Sequence, residues 1–230
     1  MDARHFIEGV FLVYAALLPI VNPLGAAPVF LAMTRYADDS TRAVLARKVT
    51  INSFVLLMAS VFIGTYVLEF FGLSVPIVQL GGGLVVCSVA WDMLRSADVS
   101  KKSTTEGVQD PGAIATEAFY PLTLPLTVGP GSISVAITIG ANHPQTVRSF
   151  LTASVSSLLG VLLISLTIYL CYRYAERLAR FLGSAGTAVV VRLSAFILLC
   201  IGVQIAWNGT KALVEELPFA APAPAGTQNR

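Results

Sequence analysis

Long apolar runs separated by short polar stretches dominate this chain. Six runs approach the roughly 20 apolar residues that cross a bilayer core: 9–34, 49–68, 73–92, 117–140, 151–170 and 189–210. The pattern predicts an all-α membrane protein with six transmembrane spans. The second and third spans are joined by a tight turn at Glu69 to Ser74. Between the third and fourth spans, "SADVSKKSTTEGVQDPGAIA" is polar and rich in Ser, Thr, Asp and Gly, as a linker is. The predicted organisation is a three-span unit over 1–95, a cytoplasmic linker over 96–116, a second three-span unit over 117–216 and a disordered tail over 217–230.

The first and fourth spans carry a shared interruption. "PIVNPLGAAP" begins at Pro19 and "PLTLPLTVGP" begins at Pro121. Pro19, Pro23, Leu24 and Pro28 recur as Pro121, Pro125, Leu126 and Pro130, each 102 residues on. With 12 prolines in 230 residues, three matched prolines and a leucine are an improbable accident. Each proline removes a backbone donor and crowds the preceding turn, so both spans are expected to break there. A three-span unit is odd, so a second copy enters the membrane from the opposite side. The expectation is two inverted repeats with interrupted first and fourth spans, an arrangement common to secondary transporters.

Composition narrows the class. Apolar residues are 55% of the chain, and charged residues are only 12%, half the share of a soluble domain. Formal net charge is +2, which gives no ground for a nucleic-acid partner. Asp2 and Glu8 spoil a signal-peptide n-region, and the apolar run continues past the prolines, so a cleaved leader is not expected. Lys and Arg alternate between loops. Eleven of the 15 lie in the first, third and fifth loops or beside them: Arg35, Arg42, Arg47, Lys48, Arg95, Lys101, Lys102, Arg173, Arg177, Arg180 and Arg192. By the positive-inside rule those loops are cytoplasmic and both termini extracytoplasmic, in a multi-pass cytoplasmic (inner) membrane protein.

The breaks carry the candidate chemistry. An interrupted helix frees up to four N–H and four C=O groups at the facing ends. A half-helix N-terminus favours a carboxylate, and a half-helix C-terminus favours a cation. Two inverted breaks therefore supply both signs without charged side chains. The candidate substrate-binding residues are Asn22, Pro23, Gly25, Thr123, Thr127, Gly129, Gly131 and Ser132, with Gln204 as a polar group in the sixth span. The candidate break residues are Pro19, Pro23, Pro28, Pro121, Pro125 and Pro130. Asn22 reads equally as a local cap of the proline turn. Gly81, Gly82 and Gly83 read as a close-packing stripe. The span cores hold no Asp, Glu or Lys, which fits a small zwitterion rather than a charged-ion pathway. Cys87, Cys171 and Cys200 are scattered in apolar segments, and the histidines are only His5 and His143. Neither a disulfide framework nor a metal site follows. No cofactor motif and no nucleophile–base pair is present, so no enzyme is expected.

These residues resemble the MarC family, also called the small neutral amino-acid transporter family. The resemblance is carried by Asn22-Pro23-Leu24-Gly25-Ala26-Ala27-Pro28-Val29-Phe30 and by Pro121 through Gly131, followed by Ser132-Ile133-Ser134. Gly82-Gly83, Asp92 and Val203-Gln204 are weaker matches, and coverage is essentially 5–213. The resemblance implies a six-span inner-membrane protein and, for some members, transport of glycine, alanine and similar amino acids. The expected activity is thus secondary transport of small neutral amino acids by alternating access, with the bilayer as surroundings and H+ or Na+ as a possible coupling ion. The alternatives are an exporter of other small solutes or drugs, and a membrane sensor or scaffold without transport.

Overall fold

The structure, a computed structural model, describes residues 3–95, 114, 116–142 and 147–215. Most of the predicted linker over 96–116 and the predicted tail over 217–230 lie outside the described residues. Those described form helices, and no strand is present among them. In chain order they are α1 (Ala3–Val21), α2 (Pro23–Met33), α3 (Asp39–Phe70), α4 (Val75–Arg95), a proline segment (Ala118–Thr127), α5 (Pro130–Ala141), α6 (Val147–Arg173) and α7 (Ala175–Glu215). Four stretches are long and apolar enough to span a membrane: α3, α4, Ser149–Arg173 of α6 and Ala185–Glu215 of α7. Two bent pairs bring the number to as many as six. α1 meets α2 at 42°, and the proline segment meets α5 at 71°.

Each boundary has a local cause. α3 starts ten residues before the apolar run because Asp38 caps it, its carboxylate accepting from the Thr41 N–H at 2.9 Å. It ends where Gly72 takes φ 67°. The N–H of Leu73 then reaches back to the Leu68 carbonyl at 2.9 Å, satisfying a terminal acceptor. α7 begins at Ala175, well before the predicted sixth span. Gly183, at φ 66°, breaks it into a short leg over 175–182 and the spanning leg.

The interruptions also differ from the proline pattern. The first break falls at Asn22-Pro23, with Asn22 in the left-handed region at φ 47°, ψ 56°. Pro19 and Pro28 do not break anything: they lie inside α1 and α2, which continue through them. A missing donor inside a membrane helix is tolerated where packed neighbours re-satisfy the freed groups. In the second interruption, Tyr120 and Leu124 are extended (φ −127°, ψ 123° and φ −108°, ψ 126°). Each precedes a proline, which disfavours helical backbone at that position. The intervening turns are wide, with the Val128 N–H donating to the Thr123 carbonyl five residues back at 2.9 Å. α5 then starts with Pro130 at its first turn, as α2 starts with Pro23. The two helix starts are therefore 107 residues apart, not 102.

The core lies between α1, α2, α3, α5, α6 and the proline segment. Leu17, Phe30, Leu45, Leu57, Leu122, Ile164 and Tyr172 are its largest fully buried side chains. α4 packs along α7 through small residues. A Cβ on Gly83 would lie 2.5 Å from the Ala206 nitrogen, and one on Gly202 would lie 2.9 Å from the Cys87 nitrogen. α4 also packs on α5, and α7 on α2. α1 packs on α6, and the proline segment on α3. The outward faces of the spans carry exposed aliphatic and aromatic side chains such as Ile51, Val55, Ile63, Leu162 and Leu166, as a surface facing hydrocarbon must.

Candidate functional site

The two interruptions open onto one cavity of about 430 Å³. Asn22 lines it from the first break. Thr127, Gly129, Gly131 and Ser132 line it from the second, together with Pro121, Pro125 and Pro130. The remaining lining is aliphatic, with Val85, Val86, Val89 and Met93 from α4 and Ile20 and Met33 from the first bent pair. No charged side chain lines it.

Not every candidate residue reaches this cavity with a free group. Asn22 caps α2: its side-chain oxygen accepts from the Gly25 N–H at 3.1 Å. The cap reading of Asn22 therefore holds, and the residue still faces the cavity. Because Gly25 turns to that oxygen, it does not serve the Val21 carbonyl. Pro23 has no N–H for the Pro19 carbonyl. The last turn of α1, with Ile20 and Val21 lining the cavity, thus lacks that donor. Pro23 and Gly25 are buried behind Asn22 and do not line the cavity. A Cβ on Gly25 would lie 2.8 Å from the Ser194 Cβ, so glycine here lets α2 pack on α7.

The threonines serve the backbone. The Thr123 hydroxyl donates to the Ala118 carbonyl at 2.6 Å, and the Thr127 hydroxyl donates to the Leu122 carbonyl at 2.6 Å. Both span five residues, the spacing of the wide turns of the proline segment. Thr123 is fully buried and also accepts from the Asn52 amide at 3.4 Å, away from the cavity. Thr127 pairs with the Tyr172 hydroxyl at 2.8 Å.

The start of α5 differs. Gly129 supplies no side-chain cap, so the N–H groups of Gly131 and Ser132 begin the helix beside the cavity. The Ser132 hydroxyl turns away to donate to the Gly129 carbonyl at 2.9 Å. A Cβ on Gly131 would lie 1.9 Å from Val86 Cγ2, so only glycine admits α4 this close. Gln204 stands apart. It is exposed on α7 and donates to Asn208, one turn along its own helix, at 2.9 Å. Of the glycine stripe, Gly82 faces Ser134 and Gly83 faces α7, while Gly81 meets open space.

Residues without a polar signal complete the site. Phe30 of α2 stacks on Tyr172 of α6, centroids 4.3 Å apart and planes at 14°. At one end of the fold, Arg42 ties the α2–α3 corner to α7. It donates to the Ala37 carbonyl at 2.8 Å and pairs with Glu176 at 3.3 Å. Beside it, Tyr36 donates to Glu117 just ahead of the proline segment. Burial first, and then the hydrogen bond to Glu117 and its charge, push the Tyr36 phenol up.

Long apolar helices with exposed aliphatic faces, two interrupted spans and a cavity lined by no charged side chain define an integral, multi-pass membrane protein. The profile of the "MarC family integral membrane protein" family matches residues 7–214, and the chain belongs to that family. A membrane protein of Methanocaldococcus jannaschii is 30% identical over 211 residues, covering 92% of this chain and 98% of its own. The inner membrane protein MarC of Escherichia coli K12 is 29% identical over 209 residues, covering 86% and 92%. The membrane protein YhcE of the same organism is 28% identical over 207 residues, covering 88% and 92%. No solved structure matches the chain.

Proposed function

We infer that this protein is a secondary transporter of small neutral amino acids, with glycine and alanine as the simplest substrates. One observation carries the reading: two helix interruptions, from distant parts of the chain, open onto the same cavity, and no charged side chain lines it. The N–H groups at the start of α5 suit a carboxylate, and the C-terminal end of α1 suits an ammonium group. A zwitterion needs both and needs no counter-ion.

The packing supports two inverted halves working by alternating access. A two-fold exchange of halves would swap α2 with α5, α4 with α7 and α3 with α6. Under it, the α4–α5 contact becomes the α7–α2 contact, and the α1–α6 contact becomes the contact of the proline segment with α3; all four are present. The basic loops support a cytoplasmic-membrane orientation with both termini outside. With no core carboxylate, coupling would fall to Na+ on backbone carbonyls or to H+ by another route.

The test is uptake of labelled glycine and alanine by reconstituted vesicles, with and without an imposed Na+ or H+ gradient. Uptake above empty vesicles is expected. Its absence for every neutral amino acid would sink the reading. The aliphatic wall of α4 favours one other reading, export of an apolar solute. A susceptibility screen of deletion and overexpression strains separates the two.

A further inference from the structure

The lining of the cavity is strongly lopsided. Its polar groups gather at the two breaks, around Asn22, Gly131 and Ser132. The aliphatic part of the lining is one face of α4, where Val85, Val89 and Met93 recur at helical spacing beside Gly131, and Met33 adds to it from α2. By volume the cavity holds the equivalent of roughly 14 waters, at about 30 Å³ each. A glycine or alanine seated at the breaks would leave most of this space unfilled. Ligand sites of this size typically bury a largely apolar ligand oriented by a few polar groups.

We propose that the cavity receives neutral amino acids with extended aliphatic side chains, the amino and carboxylate groups at the breaks and the side chain against Val85, Val89 and Met93. The inference rests on the reading of this cavity as an amino-acid site, and it adds what that reading leaves open: the size and polarity of the side chain. Each further methylene buried against the wall contributes about 0.8 kcal/mol, or about fourfold in affinity. Charged side chains are excluded, because the wall offers them no partner.

The experiment uses the full chain in detergent or nanodiscs and reads ligand-dependent thermal stabilisation for glycine, alanine, α-aminobutyrate, norvaline and norleucine, with aspartate and lysine as controls. The dissociation constant is expected to fall about fourfold per methylene from alanine to norvaline, with no stabilisation by the controls. Val89→Trp, which fills the wall side, is expected to flatten the series. A flat or rising series for the unaltered protein would mean that the wall faces lipid chains, and it overturns the proposal, as does the absence of stabilisation by norvaline. Vesicle exchange is measured separately. Binding that follows the series without exchange leaves this inference standing and removes the transport reading, whereas alanine exchange with a flat series does the reverse.

Discussion

The hydroxyls of Tyr172 and Thr127 lie 2.8 Å apart inside the protein, while the Tyr172 ring lies flat against Phe30. One side chain thus joins α6 to both interrupted elements. Tyr172→Phe keeps the stack and removes one hydrogen bond, and Thr127 keeps its bond to the Leu122 carbonyl. The expected loss of stability is about 1 kcal/mol. Phe30→Ala removes a fully buried ring and is expected to cost about 3–5 kcal/mol. Thermal unfolding of the two variants in detergent checks the order; equal losses would contradict it.

Gly131 and Val86 are a size-matched pair. Gly131→Ala places a Cβ 1.9 Å from Val86 Cγ2, and overpacking of this kind costs about 1–3 kcal/mol. It also pushes α4 away from the cavity mouth, so uptake should fall with stability. Val86→Ala in the same chain should restore much of both. If the double variant unfolds no later than Gly131→Ala alone, the contact is not what confines this position to glycine.

Asn22 combines a left-handed backbone with a capping side chain. Asn22→Gly keeps the backbone at ease and loses the bond to the Gly25 N–H, a change of a few tenths of a kcal/mol. Asn22→Ala loses the same bond and also holds a Cβ in the left-handed region, which adds about 1–2 kcal/mol. Unfolding midpoints should therefore rank the native protein first, glycine second and alanine last. Uptake by the Asn22→Gly variant at the native rate would remove the amide from substrate contact.

Asp38 makes the start of α3 sensitive to acid. Hydrogen bonds from Thr41 and then Ser40 hold its carboxyl down to about 2, against an ordinary 3.8. A depressed carboxyl stabilises the fold above its unfolded value and loses that contribution as pH falls through the folded one. The native protein should lead Asp38→Ala in thermal stability above about pH 4, and the lead should vanish between about pH 4 and pH 2. A constant difference across that range would mean the carboxylate charge is not involved.

The apolar runs located the spans, and the paired prolines located the two interruptions that meet at the cavity. Hydropathy could not find the ends. The first ten residues of α3 are polar on average, yet Asp38 caps them and Leu45 and Ala46 are buried in the core. Residues 175–182 carry Arg177 and Arg180, so they read as loop although they begin α7. Proline density marked the regions of the breaks but not the positions, because the backbone turns at Asn22 rather than at Pro19 or Pro28. Thr123 and Thr127 carry hydroxyls that suit a ligand, but a sequence does not display the Ala118 and Leu122 carbonyls that claim them. Gln204 was misleading for a related reason: polarity in a span does not tell which face it occupies. Val89, Met93 and Tyr172 gave no signal, since an aliphatic or aromatic residue in an apolar helix is unremarkable until its neighbours are known.

The glycine crossing of α4 and α7 has a mechanical consequence. With Gly83 and Gly202 set backbone against backbone, the two helices have no side-chain cushion over which to slide. They form a stiff mast carrying the valine face on one of its timbers. A motion that parted the two helices would break that contact, whereas the chain already bends beside Asn22 and Gly129.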